Sequence, residues 1–201
     1  MRDWHGVAKE AKDSGEEVNL GYLFGIYVEK NYELPPEHPN RKFKGRVVFQ
    51  GNRVVNQNWE VAVFQDLGSA PATMEASRAA DCFGASPGYC TEIADAEQAC
   101  IQAELRGTPC WICLPEDERS AWWTKDPKIS KMWKPVVPLR NALYGHPDSG
   151  TCWEGHCDAE VKKVGFTPVG AEWPSTYVNK KLDMFLVIYA TTSSFQVQKL
   201  I

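Results

Sequence analysis

The chain has 201 residues, 43% of them apolar and 24% charged, with eight Trp, eight Phe and seven Tyr. That is ordinary composition for a folded chain of one medium domain, or one domain with an arm, and it excludes a disordered or fibrous protein. A net charge of −4 argues against a nucleic-acid binder that works by bulk charge, and no apolar run of about eighteen residues exists to span a membrane. Seven cysteines, an odd count behind an N-terminus without an apolar signal stretch, point to free thiols and an intracellular setting, cytoplasmic or nuclear.

In chain order, residues 1–20 read as a short polar helix or a frayed arm. Gly21–Tyr32 has the aromatic and β-branched content of a strand. Pro35, Pro36 and Pro39 then enforce a turn, and Lys42–Val48 supplies a second strand, so a two-stranded ribbon is expected. Between His38 and Trp59 lie Arg41, Lys42, Lys44, Arg46 and Arg53 with no acidic residue. Such a stretch suits either a phosphate-facing element or a solvated edge strand guarded by lysines.

A helix is expected from Pro71 to about Phe83, capped by Ser69 and stopped by Gly84. Strands follow near Tyr89–Asp95, Thr108–Leu114 and Val136–Leu139, with Glu116–Trp133 as a charged, Trp-rich loop. Asp148 or Ser149 caps a helix to about Val164, ended by Gly165. Tyr177-Val178, a turn at Asn179-Lys180-Lys181, and Met184–Tyr189 make a hairpin. Strands alternating with two long helices indicate an α+β fold.

Four collinear segments carry a resemblance: Phe43-Lys44-Gly45-Arg46-Val47-Val48-Phe49-Gln50-Gly51; Pro71-Ala72-Thr73-Met74-Glu75-Ala76-Ser77-Arg78; Asp95-Ala96-Glu97-Gln98-Ala99-Cys100-Ile101-Gln102; and Leu139-Arg140-Asn141-Ala142-Leu143-Tyr144-Gly145 with Trp153 eight residues later. Together they resemble the reverse transcriptase (RNA-directed DNA polymerase) domain of copia-type LTR retrotransposons, over roughly residues 40–192. The resemblance implies fingers and palm subdomains of a right-handed polymerase, incomplete at the C-terminus, with no counterpart to the thumb or the ribonuclease H domain. It divides the chain into an arm and first fingers strand (1–40), a fingers–palm domain (41–192) and a divergent tail (193–201).

The family's reaction joins a primer 3′-hydroxyl to the α-phosphate of a nucleotide on two Mg²⁺ ions about 3.5–4 Å apart, held by carboxylates. By resemblance Asp95 is the first metal ligand, Ala96 offers a backbone carbonyl beside it, and Lys44 and Arg46 face the triphosphate of a dNTP paired to an RNA or DNA template-primer. Three departures follow. Where the family has Tyr-x-Asp-Asp, this chain has Tyr189-Ala190-Thr191-Thr192, and hydroxyls are poor substitutes for carboxylate on Mg²⁺. Cys100 stands where an aromatic ring guards the sugar, and Asp148 stands where a glutamine contacts the nucleotide, unless it serves as a helix cap. A catalytically dead polymerase remnant is therefore expected, with binding of the metal pair doubtful. The alternative is a non-catalytic nucleic-acid-binding module using Arg41, Lys42, Lys44 and Arg46.

Tyr-Ala-Thr-Thr-Ser-Ser at 189–194 is also what a one-base deletion yields from codons for Tyr-Ala-Asp-Asp-Phe-Lys. The alternate frame of the locus is then expected to encode further polymerase sequence downstream; its absence on sequencing would end that idea. Zinc is not expected. Cys110 and Cys113, three apart on a strand, point to opposite faces, and although Cys152 and His156 share a helical face with Cys157 nearby, no second Cys-x-x-Cys exists.

Overall fold

The computed structural model describes residues 1–64, 71–189 and 194–200, the last stretch by its backbone alone. The elements are β1 (Arg2–Asp3), α1 (Trp4–Ser14), β2 (Asn19–Lys30), β3 (Lys42–Phe49), β4 (Val55–Asn56), α2 (Met74–Gly84) and β5 (Tyr89–Asp95). After these come α3 (Ala99–Gln102), β6 (Cys110–Cys113), α4 (Ala121–Lys125), β7 (Pro135–Pro138), α5 (Ser149–Lys163), β8 (Thr167–Gly170), β9 (Trp173–Asn179), β10 (Met184–Tyr189) and β11 (Ser194–Leu200). The architecture is mixed α+β. It falls into two compact units, Met1–Phe64 with Arg106–Pro147, and Gln65–Leu105 with Asp148–Ile201.

The first unit is a sheet in the order β1-β7-β6-β2-β3, with β4 also paired to β2. Its leading residues do form a helix. Asp3 Oδ1 accepts from the His5 amide at 2.9 Å, and Gly15, at φ 72°, closes the other end with its N–H on the Ala11 carbonyl. The apparently polar sequence hides an apolar stripe, Trp4, Val7, Ala8 and Ala11, at helical spacing; all four are buried with Val18, Leu20 and Val136.

Strand β2 has two lives. Its first half is buried and runs parallel to β6; its second half leaves the core as an exposed ribbon, antiparallel to β3 with Leu23 opposite Phe49 and Lys30 opposite Lys42. The ribbon's glycines are there for Tyr27: a Cβ on Gly25 would come within 2.7 Å of the Tyr27 ring and one on Gly45 within 3.3 Å. With both positions bare, the ring lies over the backbone, and its hydroxyl donates to Glu118 Oε1 at 2.6 Å.

Lys134 ties this unit together. Its carbonyl accepts from the Trp4 amide, and its own amide donates to Asp3 Oδ2. Its ammonium donates to Tyr22 Oη at 2.9 Å and lies 4.8–5.3 Å from the ring centres of Tyr22, Trp59 and Trp133. Replacing Lys134 with Met keeps the stem and removes the cation, so urea unfolding is expected to show a loss of about 1–2 kcal/mol. An unchanged midpoint would show the rings pack equally well without it.

The second unit is an all-antiparallel sheet in the order β5-β11-β10-β9-β8. Alternation along β10 sends Leu186 and Ile188 to one face, packed with Trp153 and Cys157 of α5 and Ala99 of α3, and Val187 to the other, packed on Ala76 and Ala80 of α2. Helix α2 begins at Met74, later than expected: Thr73 Oγ1 accepts from the Ala76 amide at 3.1 Å and so fixes the start, while Ser69 lies outside the described residues. The expected hairpin is present as β9 and β10. Buried Asn179 shapes its turn, accepting from the Lys181 and Leu182 amides and donating to the Val164 carbonyl. Ser194–Leu200, within the segment read as a divergent tail, is strand β11 between β5 and β10.

Candidate functional site

Asp95 is the last residue of β5 and lies exposed, opposite Ser194 of β11. Ser194 is in turn opposite Tyr189, the last residue of β10. The ends of three strands therefore meet at one edge of the second sheet. In the sequence, residues 190–193 join Tyr189 to Ser194. Thr191 and Thr192 are in that stretch and lie outside the described residues.

Ala96 follows Asp95 and is half-buried against the Trp153–Tyr177 core. Cys100 sits in the one-turn helix α3, and burial raises its thiol pKa above the ordinary value. Asp148 occupies the N-cap position of α5, but its side chain makes no capping hydrogen bond to that helix. The local backbone explains this: φ −86° and ψ 1° differ from the extended conformation seen at Asp3 and Thr73, both of which cap. Partial burial pushes the Asp148 carboxyl pKa up. Asp95, Ala96, Cys100 and Asp148 thus belong to the second unit, and Lys44 and Arg46 to the first.

Lys44 and Arg46 share a face of the ribbon. The register sets Ile26 opposite Arg46, Val28 opposite Lys44 and Lys30 opposite Lys42, and a groove of about 180 Å³ is lined by Ile26, Val28, Lys30, Lys44 and Arg46. Like charges directly opposite across strands are destabilising, so Lys30 facing Lys42 is favourable only if an anion or solvent ions screen them. Sequence reading missed Lys30, Ile26 and Val28; the signal was available in their two-residue spacing once the ribbon's register was known.

Arg41 Nε donates to Glu29 Oε1 at 2.6 Å and an η-nitrogen donates to the Leu34 carbonyl at 2.9 Å, so Arg41 braces the ribbon's turn. Hydrogen bonding to Arg41 holds the Glu29 carboxyl below its usual range. Arg53 also is occupied, stacked 4.9 Å over the Tyr22 ring.

Among the described residues no group of three His, Cys, Asp or Glu side chains is placed to hold a metal ion. All seven cysteines are free thiols. Cys110 and Cys113 lie in the first unit and Cys152 and Cys157 in the second. Burial, reinforced by Asp158 and Glu160, pushes the Cys157 thiol up to about 11, which makes it inert at neutral pH. No helix among the described residues is long and apolar enough to cross a membrane.

No protein-family model matches the chain, and no curated protein matches it either.

Proposed function

We propose that the chain is a remnant of an RNA-directed DNA polymerase of the copia-retrotransposon type that retains polymerase architecture without polymerase activity. One observation carries the reading: the strand register sets Asp95 beside the ends of β10 and β11, between which the sequence reads Ala-Thr-Thr-Ser where the family has its paired aspartates. Two further features support it. Phe49-Gln50-Gly51 and Tyr144-Gly145, from two of the resembling segments, lie against each other, with the Phe49 amide donating to the Tyr144 carbonyl at 2.8 Å. Trp153, the most distant marker of the fourth segment, is buried under the second sheet. A site left with one carboxylate cannot neutralise two divalent ions, and the transition-state charge they would stabilise goes uncompensated.

Primer extension tests this. The purified chain is expected to add no nucleotide to a template-primer with either Mg²⁺ or Mn²⁺, and measurable extension by the unmodified chain would overturn the reading. A variant carrying Thr191→Asp, Thr192→Asp, Cys100→Phe and Asp148→Gln together restores the family's residues at all three departures, and is the form in which extension is expected to return.

A second reading, a non-catalytic nucleic-acid-binding module, is favoured by the cationic ribbon face of Lys30, Lys42, Lys44 and Arg46. Filter binding across a salt series is expected to give a log–log slope of about −0.7 to −0.9 for each phosphate neutralised. Lys44→Glu with Arg46→Glu should flatten that slope, whereas Arg41→Ala, if it stays folded, should not.

A further inference from the structure

The stretch between β6 and β7, which the sequence presents as a charged and Trp-rich loop, lines a half-open pocket of about 420 Å³ in the first unit. That volume is in the range of small-molecule sites, and neither the ribbon groove nor Asp95 has any part in it. Its walls show polar and apolar surface in about equal parts, the aromatic and apolar share coming from Trp123 of α4 and from Met132 and Trp133 of the run into β7. Its polar groups, Glu116, Arg119, Ser130 and Lys134, include charges of both signs. Arg119 is largely covered, with its Nε committed to the Leu114 carbonyl at 3.0 Å and its η-nitrogen 3.8 Å from Glu116. The Glu116 side chain, by contrast, is 91% exposed, so its carboxylate is open to a ligand's donors. Lys134 brings a second cation to the lining, oriented by Tyr22 and the indoles around it.

Exposed indoles need a reason, since covering them is worth more than covering most side chains. Trp133, in the lining, is 58% exposed, and Trp122, edge-on to Trp123 though outside the lining, is 59% exposed. Indole faces stack on flat heterocycles without regard to sequence, a carboxylate accepts hydrogen bonds from an exocyclic amine, and guanidinium and ammonium groups attract phosphate. We infer that this cavity is a binding site for a purine nucleotide, either free or at an unpaired position of a strand, with the base stacked on Trp123, its amine towards Glu116 and its phosphate drawn by Arg119 and Lys134. The site extends the functional reading given above and does not depend on it.

The test is calorimetric titration of the chain carrying Lys44→Glu and Arg46→Glu, so that loss of ribbon binding cannot be mistaken for loss of this site. AMP, adenosine, inorganic phosphate and a short oligo(dA) are the probes. AMP is expected to bind saturably and adenosine more weakly. Trp123→Ala should weaken AMP by about tenfold or more while Trp123→Phe, which keeps a stacking face, retains most of the affinity. Binding of oligo(dA) tighter than AMP identifies an unpaired strand base as the source, and the reverse order identifies a free nucleotide; both uphold the site. Absence of AMP binding at millimolar concentration overturns the proposal. So does inorganic phosphate competing as well as AMP, or a folded Trp123→Ala variant that binds AMP as the parent does.

Discussion

Gly145→Ala is expected to cost the first unit about 3 kcal/mol or more, one of the largest losses any single methyl can cause in this chain. Gly145 has φ 90°, a conformation that side chains with a Cβ rarely adopt. A Cβ there would also fall 2.2 Å from the Phe49 carbonyl oxygen and 2.9 Å from a Val48 methyl. Neither partner can retreat, because Phe49 is fully buried against bare Gly21 and its amide is hydrogen-bonded to Tyr144. Gly155→Ala is the matched control. Gly155 lies inside α5, where an added methyl would meet nothing within 4 Å, so the same change there should stabilise by about 0.5–1 kcal/mol through helix propensity. Urea unfolding of the two variants beside the parent reads both signs at once. Equal stability of parent and Gly145→Ala would mean that the close approach of these segments is wrong.

The next residue is expected to make the same unit sensitive to acid. His146 is 5% exposed, with Phe49 and Phe64 ring centres at 4.7 and 5.4 Å, and burial lowers its pKa to about 4 from 6.5. Since the folded value lies below the unfolded one, the unfolded chain takes up the proton first as the pH falls. The stability held by neutral His146 is therefore complete above about pH 6.5 and lost progressively down through pH 4, a total on the order of 3 kcal/mol. His146→Phe keeps an aromatic ring and removes the titration. Its unfolding free energy is expected to vary less with pH between 7 and 4 by that amount, beyond what the carboxylates contribute. An imidazole that titrates near 6.5 by NMR in the folded protein, or a variant with the parent's pH profile, would refute the assignment.

Both residues belong to the same short run, Ala142–His146, and they show where sequence reading ends. Ala-Leu-Tyr-Gly stood out as a motif, and its glycine could be suspected of a special backbone angle. That the glycine abuts the Phe49 carbonyl, and that the following histidine is sealed between two phenylalanines, depends on contacts between segments far apart in the chain. The same limit separates Lys44 from Arg41. Both are basic residues of one stretch, yet Glu29 and the Leu34 carbonyl hold Arg41 inside the ribbon's turn while Lys44 lines the groove. Helix α1 was among the readings of residues 1–20, but its buried stripe of Trp4, Val7, Ala8 and Ala11 was masked by the polar residues between them.

Local chemistry in the sequence was enough to place β5, the β9–β10 hairpin and the ribbon, because alternation, prolines and turn residues act over a few positions. It also established that Ala190, Thr191 and Thr192, none of them a carboxylate, follow Tyr189, since that is a matter of residue identity alone. Tertiary structure alone decided that β11 pairs with both β5 and β10, so that Asp95 lies level with the ends of β10 and β11, and that Lys30 joins Lys44 and Arg46. It alone gathered Trp123, Trp133 and Arg119 around one cavity. Strand partners and cavity walls are chosen by packing between distant segments, and no short-range pattern encodes that choice.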